Sequence, residues 1–239
     1  MQPTHRPEHA LEPASKSRLR WAASGWLLAS LGACGSLLPA AAPPPAYFSL
    51  QPLAARPLTW AAPAGAPRLV VQAPRAAAGM DSTRIIYSRQ PPQLEYFARS
   101  EWVDTPARML APLIVQTLQQ RQAFAAVVQA PSAALGDWRL ETQVLSLQQD
   151  FVSAPSRVRF VLSALLIDDA SHRVLASRVF DTSATAARDD AAGGVTAAQQ
   201  AVQQALDQLA EFCVAPARGW QSPPAPAPQR AQRPPRATP

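Results

Sequence analysis

Apolar positions recur with different periods along the chain, and each period predicts an element. Residues 21–33 (WAASGWLLASLGA) are uncharged and mostly apolar, and they follow Lys16, Arg18 and Arg20 directly. Beyond a Pro-rich stretch, 47–50 and 68–73 (RLVVQA) are short apolar runs of strand character. TRIIYS at 83–88 and QLEYFA at 93–98 read as the arms of a hairpin, with Pro91 and Pro92 in the turn, where a missing N–H breaks no ladder. Asp104 or Thr105 then caps a helix over 105–120, with Pro106 near its first position and Met109, Leu110, Leu113, Ile114 and Leu118 at helical spacing. Pro112 lies inside that helix and removes one backbone hydrogen bond, which predicts a kink. Residues 124–128 form a short apolar strand.

Three longer runs follow: WRLETQVLSLQQDF, SRVRFVLSALLI and HRVLASRVFDT. They alternate with period two, and the second becomes apolar on both faces towards Ile167, which predicts a central place in a sheet. DDASH at 168–172 supplies the turn into the third. Gly193 and Gly194 break the pattern and lead into a helix whose stripe is Val195, Ala198, Val202, Ala205, Leu206, Leu209 and Phe212. The elements predict an α/β fold with a mixed, largely antiparallel sheet and two main helices.

Proline divides the chain. Of 26 prolines, eight lie from Pro39 to Pro67, eight from Pro216 onward, and only seven in the 141 residues between Ala73 and Cys213. Charge divides it in the same places: the net +6 resolves into +2 before residue 34, zero from 35 to 214, and +4 after Val214. A nucleic-acid-binding domain should carry its basic excess on the folded body, so nucleic acid is not an expected partner. The tail arginines (QRAQRPPRATP) are not interleaved with aromatics, so stacking on bases is not indicated either.

As a helix, 21–33 would span about 20 Å, short of the roughly 30 Å hydrocarbon core. A basic segment, a short apolar segment and small residues make an export signal. Leu31, Gly32, Ala33 and Cys34 complete it, since LGAC resembles a bacterial lipobox, cut between Ala33 and Cys34 with diacylglycerol on the Cys34 thiol. Gly35 stands where an aspartate would resemble an inner-membrane retention signal, so the expected site is the outer membrane, facing the periplasm of a Gram-negative bacterium. The chain then divides into a signal peptide at 1–33, a lipidated N-terminus and Pro-rich tether at 34–46, a folded domain at 47–214, and a Pro/Arg-rich tail at 215–239.

Catalytic chemistry finds little to work with. Processing leaves His172 as the one histidine and removes the one lysine, which excludes two-histidine motifs, Schiff-base chemistry and P-loop binding in their usual forms. The pairs Asp168-Asp169 and Asp189-Asp190, with Asp181, are conceivable cation ligands, but adjacent aspartates in loops are ordinarily turn residues. Acylation of Cys34 leaves Cys213 without a disulfide partner, a buried thiol at the end of a helix. No cofactor or metal is implied.

The block IIYSRQPPQLEYFARSEWVDTPARMLAPLIVQTLQQ, 85–120, resembles the ABC-type transport auxiliary lipoprotein family. The carrying elements are Tyr47-Phe48-Ser49-Leu50, Ile86-Tyr87, Leu94-Glu95-Tyr96-Phe97, Trp102-Val103-Asp104, Pro106 and Met109-Leu110; Pro112 and the arginine-rich tail depart from the pattern. The resemblance implies a single three-layer α/β domain without a catalytic site, in an outer-membrane lipoprotein that accompanies an MCE-domain protein and an ABC permease and ATPase in lipid transport. On that reading Tyr87, Tyr96, Phe97 and Trp102 are candidate contacts with a partner or with lipid, because interfaces favour aromatics. The alternative for each is hydrophobic core, favoured for all but Trp102. A competing class is a structural or regulatory outer-membrane lipoprotein that binds a cell-wall synthase or the envelope scaffold.

Overall fold

A thirteen-residue strand with one buried face organises the molecule. The computed structural model describes residues 43–51 and 63–220. The leader, Cys34 and 221–239 lie outside the described residues, and the folded unit begins at Pro44. Its strands are β1 (Ala46–Phe48), β2 (Arg68–Val71), β3 (Arg75–Ala76), β4 (Arg84–Ser88), β5 (Glu95–Trp102), β6 (Ala126–Gln129), β7 (Trp138–Asp150), β8 (Arg157–Asp168) and β9 (Val174–Thr185). The helices are α1 (Pro106–Gln120) and α2 (Ala191–Ala217).

β7 is the spine. Along one edge it receives three parallel partners in succession: β2 at Trp138–Leu140, β3 at Gln143 and Val144, and β4 at Gln149 and Asp150. β8 lies antiparallel along its other edge, and β9 antiparallel on β8. β5 returns antiparallel on β4, while β1 and β6 extend the sheet in parallel from β5 and β2. The sheet is therefore mixed, as expected. Five of its eight pairings are parallel, and the antiparallel ones are the β4–β5 hairpin and the two long ladders, β7 to β8 and β8 to β9.

The alternation in β7 changes phase midway. Trp138, Leu140, Thr142 and Val144 face the core, and then Leu147 and Gln149 do, because the register with β8 slips between Val144 and Ser146. Leu145 is the extra residue of a bulge; without it Ser146 and Gln148 would turn inward and Leu147 outward. The core face of β8 is Val158, Phe160, Leu162, Ala164 and Leu166.

Both helices pack into this one core. α1 contributes Leu110, Leu113, Ile114 and Leu118, and α2 contributes Val195, Ala198, Val202, Ala205, Leu206 and Leu209. On the opposite face of β7 and β8, Arg139, Glu141 and Gln143 are half-buried, Val161 and Ile167 are buried and Leu165 is exposed. The sheet and the two helices packed on it make two of the three expected layers. Polar links lock the layers: Thr182 on β9 donates to the Ala201 carbonyl at 2.8 Å, and Gln199 donates to the Ser49 carbonyl at 3.2 Å.

Gly193 and Gly194 lie within the first turn of α2 rather than ahead of it, since the Asp190 carboxylate caps that helix by accepting from the Gly193 N–H at 2.6 Å. Close approach explains both glycines. A Cβ on Gly193 would stand 2.2 Å from the Arg188 carbonyl oxygen, and one on Gly194 would stand 2.0 Å from Gln149 Oε1. The first obstacle is backbone and cannot swing away. Gly193→Ala should therefore destabilise the fold by about 1–3 kcal/mol, the usual range for overpacking. An unchanged urea midpoint would show that the cap region can shift at no cost.

α1 holds Pro112 within its length, as expected, and Thr105 is its N-cap residue, although the Thr105 hydroxyl makes no capping bond. Asp104 instead accepts from the Thr105 N–H at 2.7 Å. α2 continues past Val214 to Ala217, and Trp220 packs on Trp138 with ring centroids 5.2 Å apart.

Candidate functional site

The β4–β5 hairpin carries all four aromatics singled out by the sequence, and it places them in different surroundings. Tyr87 and Phe97 lie together, centroids 4.7 Å apart, and Phe151 just past β7 closes a cluster with them at 5.6 Å from Tyr87. Tyr87 is buried; its hydroxyl donates to Glu95 Oε2 at 2.9 Å, a bond that together with burial raises its pKa above the ordinary phenol value. Arg89 stacks 5.0 Å over the Tyr87 ring and pairs with Glu95 at 3.5 Å. Tyr96 points outward, 40% exposed, with Arg84 over its ring at 5.0 Å.

Trp102 is core. It is 3% exposed and belongs to the core, at the end of β5 where β1 pairs alongside with Phe48 in register with it. Its indole has no surface to offer a partner in this fold, contrary to the reading that set it apart from the other three. Phe151 belongs to the aromatic cluster but was hidden in the sequence at the end of a long strand-like run. Pairing of Tyr87 with Gln149 on β7 is what brings Phe151 close, a tertiary fact with no local signal.

Each paired aspartate has a structural partner. Asp168 accepts from the hydroxyl and N–H of Ser171, which hold its carboxyl below the usual range, and Asp169 pairs with Arg139. Asp189 is likewise lowered by its bonds to Ser156, whose N–H donates to it at 2.8 Å. Asp190, the α2 cap, is held down by the Gly193 N–H and by Arg188. Asp181 makes a two-pronged pair with Arg159, at 3.0 Å on one arm, and is lowered by it. No group of three potential metal ligands occurs among the described residues. His172 is exposed in the β8–β9 turn with φ of 55°, the left-handed conformation of a tight turn. Cys213 is buried, and desolvation pushes its thiol up to about 12, so it is inert at neutral pH.

Two clefts sit at opposite ends of the sheet. One, about 370 Å³, lies beside the C-terminal ends of both helices between Arg121, Ala123, Val214, Ala217, Arg218 and Trp220. The other, about 430 Å³, lies where β7 ends and β8 begins, between Pro91, Asp150, Val152, Arg157 and Ser183. Arg157 donates to Ser183 there at 2.9 Å. That bond engages the Ser183 hydroxyl with a cation rather than with a base that could activate it.

The class these features define is a single-sheet α/β domain whose charged side chains are largely spent on turns, caps and surface pairs. The chain belongs to the ABC-type transport auxiliary lipoprotein family, whose family model matches residues 48–210. Among solved structures it is similar to protein XCC0632 from Xanthomonas campestris, with 23% identity and a TM-score of 0.64 over 72% of this chain and 97% of that one. It is also similar to an uncharacterised protein at 16% identity and a TM-score of 0.56, over 72% of this chain and 99% of the other. At these identities the likeness shows the fold. No curated protein gives a significant match.

Proposed function

We propose that this protein is a non-catalytic auxiliary lipoprotein of an MCE-type ABC transporter. Acylated Cys34 tethers it to the outer membrane, and the domain faces the periplasm and docks on the transporter's MCE-domain component, assisting the passage of lipid or another hydrophobic compound through the envelope. The observation that carries this reading is the family match, which runs from the last residue of β1 to Ala210 within α2 and so takes in β2 to β9, all of α1 and most of α2. The lipobox at Leu31–Gly32–Ala33–Cys34 supports the membrane attachment from the sequence. The side-chain accounting supports a non-catalytic role, since the carboxylates that could have formed a reactive centre are engaged in caps, turns and arginine pairs.

The test is a crosslinking pull-down of the lipidated, full-length protein from its own envelope. Recovery of an MCE-domain protein together with a permease or ATPase is expected. A preparation that yields neither would overturn the transporter assignment.

A further inference from the structure

The strand directions give the domain two distinct ends. β1 runs parallel to β5, so the chain enters β1 from the side where β5 begins and β4 ends. β4 meets β7 at Ser88 and Asp150, which puts the end of β7 on that side too. By antiparallel pairing β8 starts there and β9 finishes there, and α2 starts soon after. One end of the sheet thus gathers the incoming chain at Pro44, the β4–β5 loop and the β7–β8 loop. The other end holds the start of β7, the β8–β9 turn and Trp220, about 40 Å away along thirteen strand residues of β7.

The loops at the incoming end expose apolar side chains. Leu94 is 40% exposed, Tyr96 40% and Val152 66%, and Pro91 and Pro92 stand exposed beside them. The Tyr87, Phe97 and Phe151 cluster ties these loops to the sheet, with Phe97 next to Tyr96 in sequence and Phe151 next to Val152. The flanking charges at this end are Arg84, over the Tyr96 ring, with Arg89, Arg157 and Arg188, against Glu95, Asp150, Asp189 and Asp190, so there is no basic surplus. Only nine residues lie between Cys34 and Pro44, a reach of about 30 Å when extended.

We propose that this end is a membrane-contact surface: the β4–β5 and β7–β8 loops rest in the headgroup layer of the bilayer that holds Cys34, inserting Leu94, Tyr96 and Val152. The inference rests on the lipidation part of the proposed function. Contact is made through apolar and aromatic groups, as at other membrane interfaces, and not through charge, because the arginines at this end are matched by carboxylates. The domain then stands upright on the membrane, and the end bearing Trp220 points into the periplasm.

The test uses the lipidated, full-length protein in phosphatidylethanolamine/phosphatidylglycerol vesicles with a nitroxide at Leu94→Cys, Val152→Cys or, as the far-end comparison, Val174→Cys. Val174 is 52% exposed at the start of β9, and with Cys34 acylated and Cys213 buried the new thiol is the reactive one. Collision with a water-soluble nickel chelate should be about fivefold lower at 94 and 152 than at 174, with oxygen collision raised, as expected for groups at the headgroup boundary. Lowering the phosphatidylglycerol fraction should leave that contrast unchanged. Protein that enters the vesicles but shows equal chelate access at all three sites overturns the surface and leaves lipidation standing. Protein that fails to enter the vesicles for want of acyl chains overturns lipidation and the surface with it. Shielding at 94 and 152 seen in intact envelopes but absent from vesicles assigns this end to a protein partner and also overturns the proposal.

Discussion

Replacing Trp138 by alanine should cost about 3–5 kcal/mol, the usual range for emptying a buried aromatic site. That is a large share of the roughly 5–15 kcal/mol by which a domain is stable. Trp138 opens β7, is 2% exposed, and stands where β2 registers on one side and β8 on the other. Its ring meets Phe124 at 6.4 Å and Trp220 at 5.2 Å, both edge-on. The indole N–H has no partner among the described residues, so the substitution removes volume and contact without stranding a hydrogen-bonded neighbour. Trp220 is half-buried and fills only the outer side of the same site, so Trp220→Ala should cost less, and the two changes should couple by about 0.5–1.5 kcal/mol as aromatic pairs do. Urea unfolding of the two single variants and the double variant measures all three quantities. A loss below about 1 kcal/mol for Trp138→Ala would mean that the site collapses around the gap and that Trp138 is not the closing element of the sheet.

That site also shows how far local pattern reaches. Period-two alternation and helical stripes were sufficient to find the three long strands, the β4–β5 hairpin with Pro91 and Pro92 in its turn, and both helices, because each element buries one face and the pattern records that face. What the pattern could not carry was geometry between elements. The bulge at Leu145 leaves no signal in composition; it is visible only as the switch that keeps Leu147 inside. Gly193 and Gly194 look like a helix lead-in, and their place within α2 follows from Arg188 and Gln149 lying too close for any side chain. Trp102 was the one aromatic of the four for which core was not favoured, and it is buried at the end of β5 that pairs with a three-residue strand from 54 residues earlier. β2, β3 and β4 each occupy a different stretch of one edge of β7, a parallel arrangement set by long-range pairing that no window of sequence contains. Asp168 and Asp190 were legible as turn and cap residues because Asx-type bonding is local, whereas Asp169 and Asp189 find partners in Arg139 and Ser156, which stand 30 and 33 residues away in the chain.

Changing Cys34 to serine should move the protein from the membrane to the soluble fraction, and this is the larger effect on where the protein acts. Each buried methylene of an acyl chain contributes about 0.8 kcal/mol, so one chain holds a protein only reversibly whereas two or three hold it firmly. Without them, the remaining contact is Leu94, Tyr96 and Val152 at the incoming end, three partly exposed side chains set among balanced charges. That surface can orient an anchored domain, but it is too small to retain a free one against dilution. The substitution also removes the residue at which the leader is cut, and the uncleaved apolar stretch at 21–33 could itself cling to the bilayer. A second variant separates the two effects: residues 1–34 replaced by an export signal that is cleaved without lipidation. Release of this variant, with Cys34→Ser still bound as the longer precursor, assigns attachment to acylation and the residual binding to the leader. Retention of both in the membrane fraction after a high-salt wash would refute lipidation at Cys34, and would place the attachment in the folded domain or in a partner that holds it.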